Sequence, residues 1–295
     1  MAQLAKLPPA PTIDEAYMRQ FRTLDEKSYV AVADFLGVHA ADLSACRQIN
    51  ASGKGFGNDW MEVIGKFVMC NPRVLALDCS FNRISDPATH ALADMLGNMH
   101  TMHTLILSEN LIGNKGAQRI FAALQYSTTI TTLDLSLNDI DAEGCHAIAD
   151  ELATLQVLKI LDLSVNNIGD AGCEQIATAL ESNRDIRALF LRMNQIGDPG
   201  MQALCKALKQ NRSLQELSLS DNAITTEGAM AFARCLEHNS MLARLDLSGN
   251  RIGEPGARAI RRSLNAEPAR AFRLLQLEGN PVPVQELVKL ERQRR

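Results

Sequence analysis

The chain has 295 residues, of which 46% are hydrophobic and only 4% aromatic, and its formal net charge is −4 with a pI near 5.9. That balance gives no electrostatic reason to expect nucleic acid as the main partner, and no apolar run reaches the length a membrane-spanning helix needs. Seven cysteines are an odd number, and they read as small buried thiols in a reducing compartment, the cytoplasm, rather than as a disulfide framework.

The segment 1–45 is not repetitive and is expected to be a helical N-terminal cap. Met1 to Pro11 lacks a basic region followed by an apolar core, so no secretory signal is expected. A helix is predicted over Ile13 to Arg22. Thr23 with Glu26 forms a capping box for a second helix through Leu36, which Gly37 can end. A shorter helix over Asp42 to Cys46 follows.

From residue 46 to residue 282 one unit returns. Its tracer is asparagine at Asn82, Asn110, Asn138, Asn166, Asn194, Asn222 and Asn250, each 28 positions after the last. Five residues before each stands leucine, Leu77 to Leu245, and three before it Cys79 or a leucine from Leu107 to Leu247. Apolar residues two apart mark a short strand with one buried face. Two residues after the asparagine comes isoleucine, Ile84 to Ile252, expected to plug the turn, and six after it glycine in all copies but the first. A helical stripe such as Ala117, Ile120, Phe121 and Leu124 completes the unit. Such a unit has too little apolar surface to fold alone, so stacking must bury the core and the chain is read as a single solenoid. The asparagine, with two donors and an acceptor, is expected to form a structural ladder satisfying backbone groups that the corner leaves unpaired.

Cys46 to Arg73 is a degenerate first unit with Lys54 at the ladder position. Its Gly53-Lys54-Gly55-Phe56-Gly57 turn lacks the spacing and the Ser or Thr of a phosphate loop. The last unit, with Leu275, Leu277 and Asn280, comes 30 positions on, the extra residues falling near Glu267 and Pro268. The segment 283–295 is expected to be a closing helix and a basic tail. Cys79 takes a strand slot, Cys145 and Cys173 the slot opening a helix, and Cys205 the helix stripe. Asn50-Ala51-Ser52 and Asn211-Arg212-Ser213 are then chance matches to a glycosylation triplet.

Leu-x-x-Leu-x-Leu-x-x-Asn followed by a helix on this period resembles the leucine-rich repeat of the ribonuclease-inhibitor type, over Val74 to Asn280. The resemblance implies an α/β solenoid, a horseshoe with parallel strands on its concave face and helices on its convex face. It does not imply one function, since such repeats serve inhibitors, immune receptors, cytoskeletal regulators and GTPase activators. The Ran GTPase activators present a Gly-Arg loop in the early repeats and an acidic tail. Here the nearest match is Gly53-Lys54, lysine lacks arginine's planar fork, and the tail is basic.

The residues between the buried strand leucines face the concave wall. Most copies carry Asp-x-Ser there, as at Asp78, Asp134, Asp162 and Asp246, which is the family's ordinary filler. The copy in which both positions change is Phe190-Leu191-Arg192-Met193, with Ile160 one strand away. An aromatic, an arginine and a methionine have the composition of an interface anchor. A second feature is charge, eleven Lys or Arg against six Asp or Glu from Met241 onward, including Arg258, Arg261 and Arg262. This could dock an acidic partner such as a tubulin or actin surface. His100 and His103 have helix-compatible spacing but no carboxylate or cysteine set beside them. No catalytic motif is present and no cofactor is expected. The sequence therefore predicts a non-enzymatic scaffold, monomeric on its own, that binds a protein partner at Phe190, Arg192, Met193 and Ile160. The alternatives are a structural part of a cytoskeletal or ciliary assembly and a Ran-type GTPase activator.

Overall fold

A computed structural model describes residues 47–264 apart from 70 and 72, residues 272–283, and the single positions 32 and 285. The predicted N-terminal cap, Cys46, the insertion near Glu267, and the closing helix with its basic tail therefore lie outside the described residues. The chain divides into two compact units, Met1–Asp139 and Ile140–Arg295.

In the first unit strand and helix alternate: β1 (Gln48–Asn50), α1 (Asn58–Met69), β2 (Ala76–Asp78), α2 (Thr89–Asn98), β3 (Thr104–Ile106), α3 (Asn114–Leu124) and β4 (Thr132–Asp134). The strands pair in parallel and in sequence order, Leu77 beside Leu105 and Leu105 beside Leu133. The degenerate first repeat supplies a true strand, with Ile49 beside Leu77 and Phe56 buried in the isoleucine position. Lys54, where the ladder asparagine would stand, is exposed.

The second unit continues the alternation with α4 (Ala142–Leu152), β5 (Ile160–Asp162), α5 (Gly169–Ser182), β6 (Ala188–Phe190), α6 (Asp198–Gln210), β7 (Glu216–Ser218), α7 (Thr226–Leu236), β8 (Arg244–Asp246), α8 (Glu254–Leu264) and β9 (Leu274–Gln276). Its strands are again parallel, and Arg244 pairs with Leu274, so the longer last repeat keeps its register. Strand leucines, turn isoleucines and the helix stripe meet in one core, where Leu189, Leu191, Ile196 and Leu204 are all 0% exposed.

The ladder asparagines sit at 0–9% exposure except half-buried Asn222. Asn250 shows the pattern. Its Nδ2 donates to the carbonyls of Leu247 (3.0 Å) and, one repeat earlier, Leu219 (2.8 Å), while its Oδ1 accepts from the amide of Ile224 at 3.0 Å. Asn82, Asn110 and Asn138 repeat it in the first unit. Each side chain thus joins the corners of two repeats.

A second asparagine column closes the opposite end. Asn183, Asn211 and Asn239, also 28 apart, are no more than 2% exposed. Asn211 donates to the carbonyls of Leu180 and Asn183 and accepts from the amides of Ser213 and Leu214. It carries the chain from helix end to strand start, and burial of its amide explains why the triplet it opens is no sugar acceptor in the folded state.

At three copies of the glycine column the cause is a carboxylate of the preceding repeat. Asp170 Oδ1 accepts from the amides of Gly197 (2.7 Å) and Gly200 (2.9 Å), and Asp198 does the same for Thr225 and Gly228. Asp86 serves Gly113 and Gly116 in the first unit. Each carboxylate caps the helix of the following repeat, where the helix dipole favours negative charge. A Cβ at Gly228 would lie 2.4 Å from Asp198 Oδ1, so only glycine fits beneath the cap.

The residue before each ladder asparagine is left-handed. Phe81, Glu109, Leu137, Val165, Met193 and Asp221 have φ between 53° and 57°, and glycine takes over only at Gly249 and Gly279. Side chains rarely adopt this region, so the corner holds them there.

Among the described residues the free cysteines Cys79, Cys145, Cys173, Cys205 and Cys235 are all buried. Burial, with the charge of Asp141, raises the Cys145 thiol to about 12. A hydrogen bond with Cys235, together with burial, raises Cys205.

Two outcomes follow. Asn166→Ala should cost roughly 1–3 kcal/mol, the penalty for orphaning buried polar groups, and an unchanged melting curve would remove the ladder as a stabilising device. Cys145 has an unfolded value near 9.0 and a folded one of about 12, so its stability contribution is present below the former and lost as pH rises towards the latter. It should resist iodoacetamide in the native protein near the lower value and react once urea unfolds the chain; rapid native labelling would contradict its burial.

Candidate functional site

On the strand face the Asp-x-Ser copies satisfy themselves. Asp246 Oδ1 accepts from the Ser248 amide (2.9 Å) and hydroxyl (2.6 Å), with the same pair of bonds at Asp134–Ser136 and Asp78–Ser80. At Asp162 the Ser164 amide donates at 2.8 Å. A carboxylate so engaged has less capacity left for a ligand, which is the physical content of calling the motif filler.

On β6 this local lock is missing. Phe190 stands in register between Asp162 and Ser218, half-buried, and Ala188 lies between Ile160 and Glu216. Ile160, 38% exposed, is therefore the diagonal neighbour of Phe190, about 7–8 Å away in such a ladder. Met193 is 46% exposed at the strand's end. Arg192 is exposed, but its Nε donates to Asp221 Oδ2 at 2.7 Å, so the guanidinium is already oriented. A second ion pair, Arg244 to Glu216 at 3.0 Å, flanks the patch on β7 and β8. The four residues singled out by sequence thus lie on β5, on β6 and in the corner that follows β6, and Asp221 joins them unforeseen.

The backbone departs at the same repeat. In the neighbouring corners the residue after the ladder asparagine donates its amide to the preceding repeat's isoleucine carbonyl: Asn167 to Ile140, Ala223 to Ile196 and Arg251 to Ile224. At Gln195 that bond is replaced. The Asn194 carbonyl instead accepts from Gly169 at 2.9 Å, and Gln195 is left-handed with φ 60°. Met193 and Gln195 therefore flank Asn194 in a conformation that ordinary side chains resist. The Gln195 amide reaches Asn167 Oδ1 at 3.1 Å. Nothing in the residue types marked this turn, since Gln-Ile-Gly stands where other copies read Asp-Ile-Asp or Ala-Ile-Thr.

A leucine-rich repeat family model matches residues 98–121, 126–149, 154–177, 182–205, 210–233 and 238–260, segments whose starts fall 28 residues apart. The chain is a leucine-rich repeat protein. The leucine-rich repeats are also similar to a solved structure titled Leiomodin-1 Actin-Binding Site 2, with 23% identity over 52% of this chain and 80% of that one and a TM-score of 0.36. None of the curated proteins matches the chain. No helix among the described residues is long and apolar enough to cross a membrane.

Gln195→Gly should relieve a left-handed side chain that costs about 1–2 kcal/mol, offset by roughly 0.4–1 kcal/mol of unfolded-chain entropy. A slightly higher urea midpoint is expected. A lower midpoint would mean that the glutamine side chain holds the turn rather than being forced into it.

Proposed function

We propose that this leucine-rich repeat protein is a non-enzymatic scaffold that binds a protein partner on the strand face of its second unit, with Phe190, Arg192, Met193 and Ile160 at the contact. The observation that supports it is a coincidence: the repeat that trades Asp-x-Ser for Phe-x-Arg is the one whose corner turns its peptide and carries left-handed residues on both sides of Asn194. Strain of this kind concentrates where a surface is shaped for binding. A half-exposed aromatic, an oriented arginine and a methionine are the usual anchors of interfaces. Because Asp221 already holds Arg192, less side-chain freedom is lost on association. The free, buried thiols fit a reducing compartment, and we place the protein in the cytoplasm.

The test is an affinity or proximity pull-down from source cells with wild type and Phe190→Ala/Arg192→Ala, each matched for folding by its melting curve. A discrete partner retained by wild type and weakened roughly 30-fold or more in the variant is expected for a central anchor. A partner set identical in both samples would move the site off this face. Co-sedimentation with actin or tubulin filaments that survives the substitution would favour a structural place in a cytoskeletal assembly instead.

A further inference from the structure

The edge of the second unit where helices end and strands begin carries a second, chemically different surface. Arg184 lies between α5 and β6, and Arg212 between α6 and β7, 28 residues apart and both exposed. Arg184 Nη1 donates to the carbonyls of Glu181 (2.9 Å) and Asn183 (3.0 Å), and Arg212 repeats this on Lys209 (2.9 Å) and Asn211 (3.0 Å). The bonds use the last carbonyls of each helix and fix both guanidinium groups. Their remaining donors make no hydrogen bond among the described residues and face solvent. Exposed Lys209 and half-buried Arg187, whose Nη1 reaches the Ser213 carbonyl at 3.3 Å, extend the same edge.

The carboxylates nearest these cations along the chain pair with other basic side chains. Glu181 pairs with Lys206 at 3.1 Å, Glu216 with Arg244 at 3.0 Å, and Asp185 with Lys159. The next one along, exposed Glu237 at the end of α7, forms no ion pair with the four cations among the described residues. Arg184, Arg187, Lys209 and Arg212 therefore stand without a carboxylate in a chain whose net charge is −4. Helix-end dipoles account for part of their placement, but a dipole is met by the bound nitrogens and leaves the outward donors unused.

We propose that this basic edge docks an acidic, extended peptide segment of a protein partner, independently of the strand face. Two guanidinium forks already held by backbone carbonyls suit a row of carboxylates, which they can meet with charge-assisted hydrogen bonds. A membrane surface fits less well, because none of the second unit's exposed large apolar residues among those described, Ile160, Met193, Met230 and Leu274, lies on this edge to insert. Nucleic acid fits less well because no aromatic side chain among the described residues of the second unit lies on this edge for bases to stack on, Phe190 being on β6 and Phe232 and Phe272 buried.

The experiment is fluorescence anisotropy of a labelled oligoglutamate peptide with the full chain, titrated at low and physiological salt. Arg184→Gln/Arg212→Gln should weaken binding about tenfold and flatten its salt dependence. Adding Arg187→Gln and Lys209→Gln should weaken it further, and Arg258→Gln/Arg262→Gln on α8 should leave it unchanged. Equal loss in the α8 control would reduce the effect to general charge and overturn the proposal. Tighter binding of a single-stranded oligonucleotide or an anionic vesicle at the same residues would overturn it too. Arg184→Lys/Arg212→Lys keeps the charge and loses the fork's carbonyl bonds. Binding weaker than wild type but tighter than in the glutamine variant is expected, since charge remains and the held forks are gone, and binding equal to wild type would overturn the role of the forks.

Discussion

A strand of three residues cannot pair the backbone groups of the sharp corner that follows it, and an asparagine side chain supplies what is missing. The amide of Asn250 reaches carbonyls in its own repeat and one in the repeat before, and its oxygen takes the amide of the preceding isoleucine. Those bonds are short, buried and directional, so the corners must stack at a fixed spacing. The leucines and isoleucines then pack wherever that spacing puts them. Hydrophobic burial supplies the driving force, but it is non-directional, and the period of the fold is set by the asparagine.

Against this regular frame a functional surface is made by substitution. Where Asp-x-Ser occupies the strand face, each aspartate is held by its own serine. On β6 the lock is replaced by Phe190 and Arg192, and the corner beyond turns a peptide so that Asn194 rather than Ile168 receives the crossing amide. Side chains and backbone change together in this repeat, while the corners on either side keep the common backbone bond. The arginines of the helix-end edge are made the opposite way, by repeating one feature at Arg184 and Arg212.

The ladder, the strand leucines and the turn isoleucines were legible because each needs one residue type at one position. The composition of the β6 patch was legible for the same reason, since Phe and Arg stand where Asp and Ser are the rule. Other features hid behind mixed chemistry. The left-handed column is filled by Phe81, Glu109, Leu137, Val165, Met193 and Asp221 between Gly53 and Gly249, so no single type announces the conformation. The second asparagine column holds only at Asn183, Asn211 and Asn239 among neighbouring copies, although its 28-residue spacing could have been found. The glycine column was visible, yet at Gly116, Gly200 and Gly228 its cause lay 30 residues upstream in Asp86, Asp170 and Asp198, beyond the reach of local propensity.

Those forward-reaching aspartates and the backward-reaching asparagines together give the repeats a polarity. A repeat lends its carboxylate to the helix after it and its corner carbonyl to the asparagine after it. Excising a whole period between two copies that both carry the aspartate, as the repeats of Asp170 and Asp198 do, would leave each donor facing an acceptor of the same kind. Ala142 offers no such carboxylate, and the amide of Gly172 turns instead to the carbonyl of Ile168. The repeats of Asp170 and Asp198 thus join their successors in the same way, while the joint after Ala142 is made without a carboxylate.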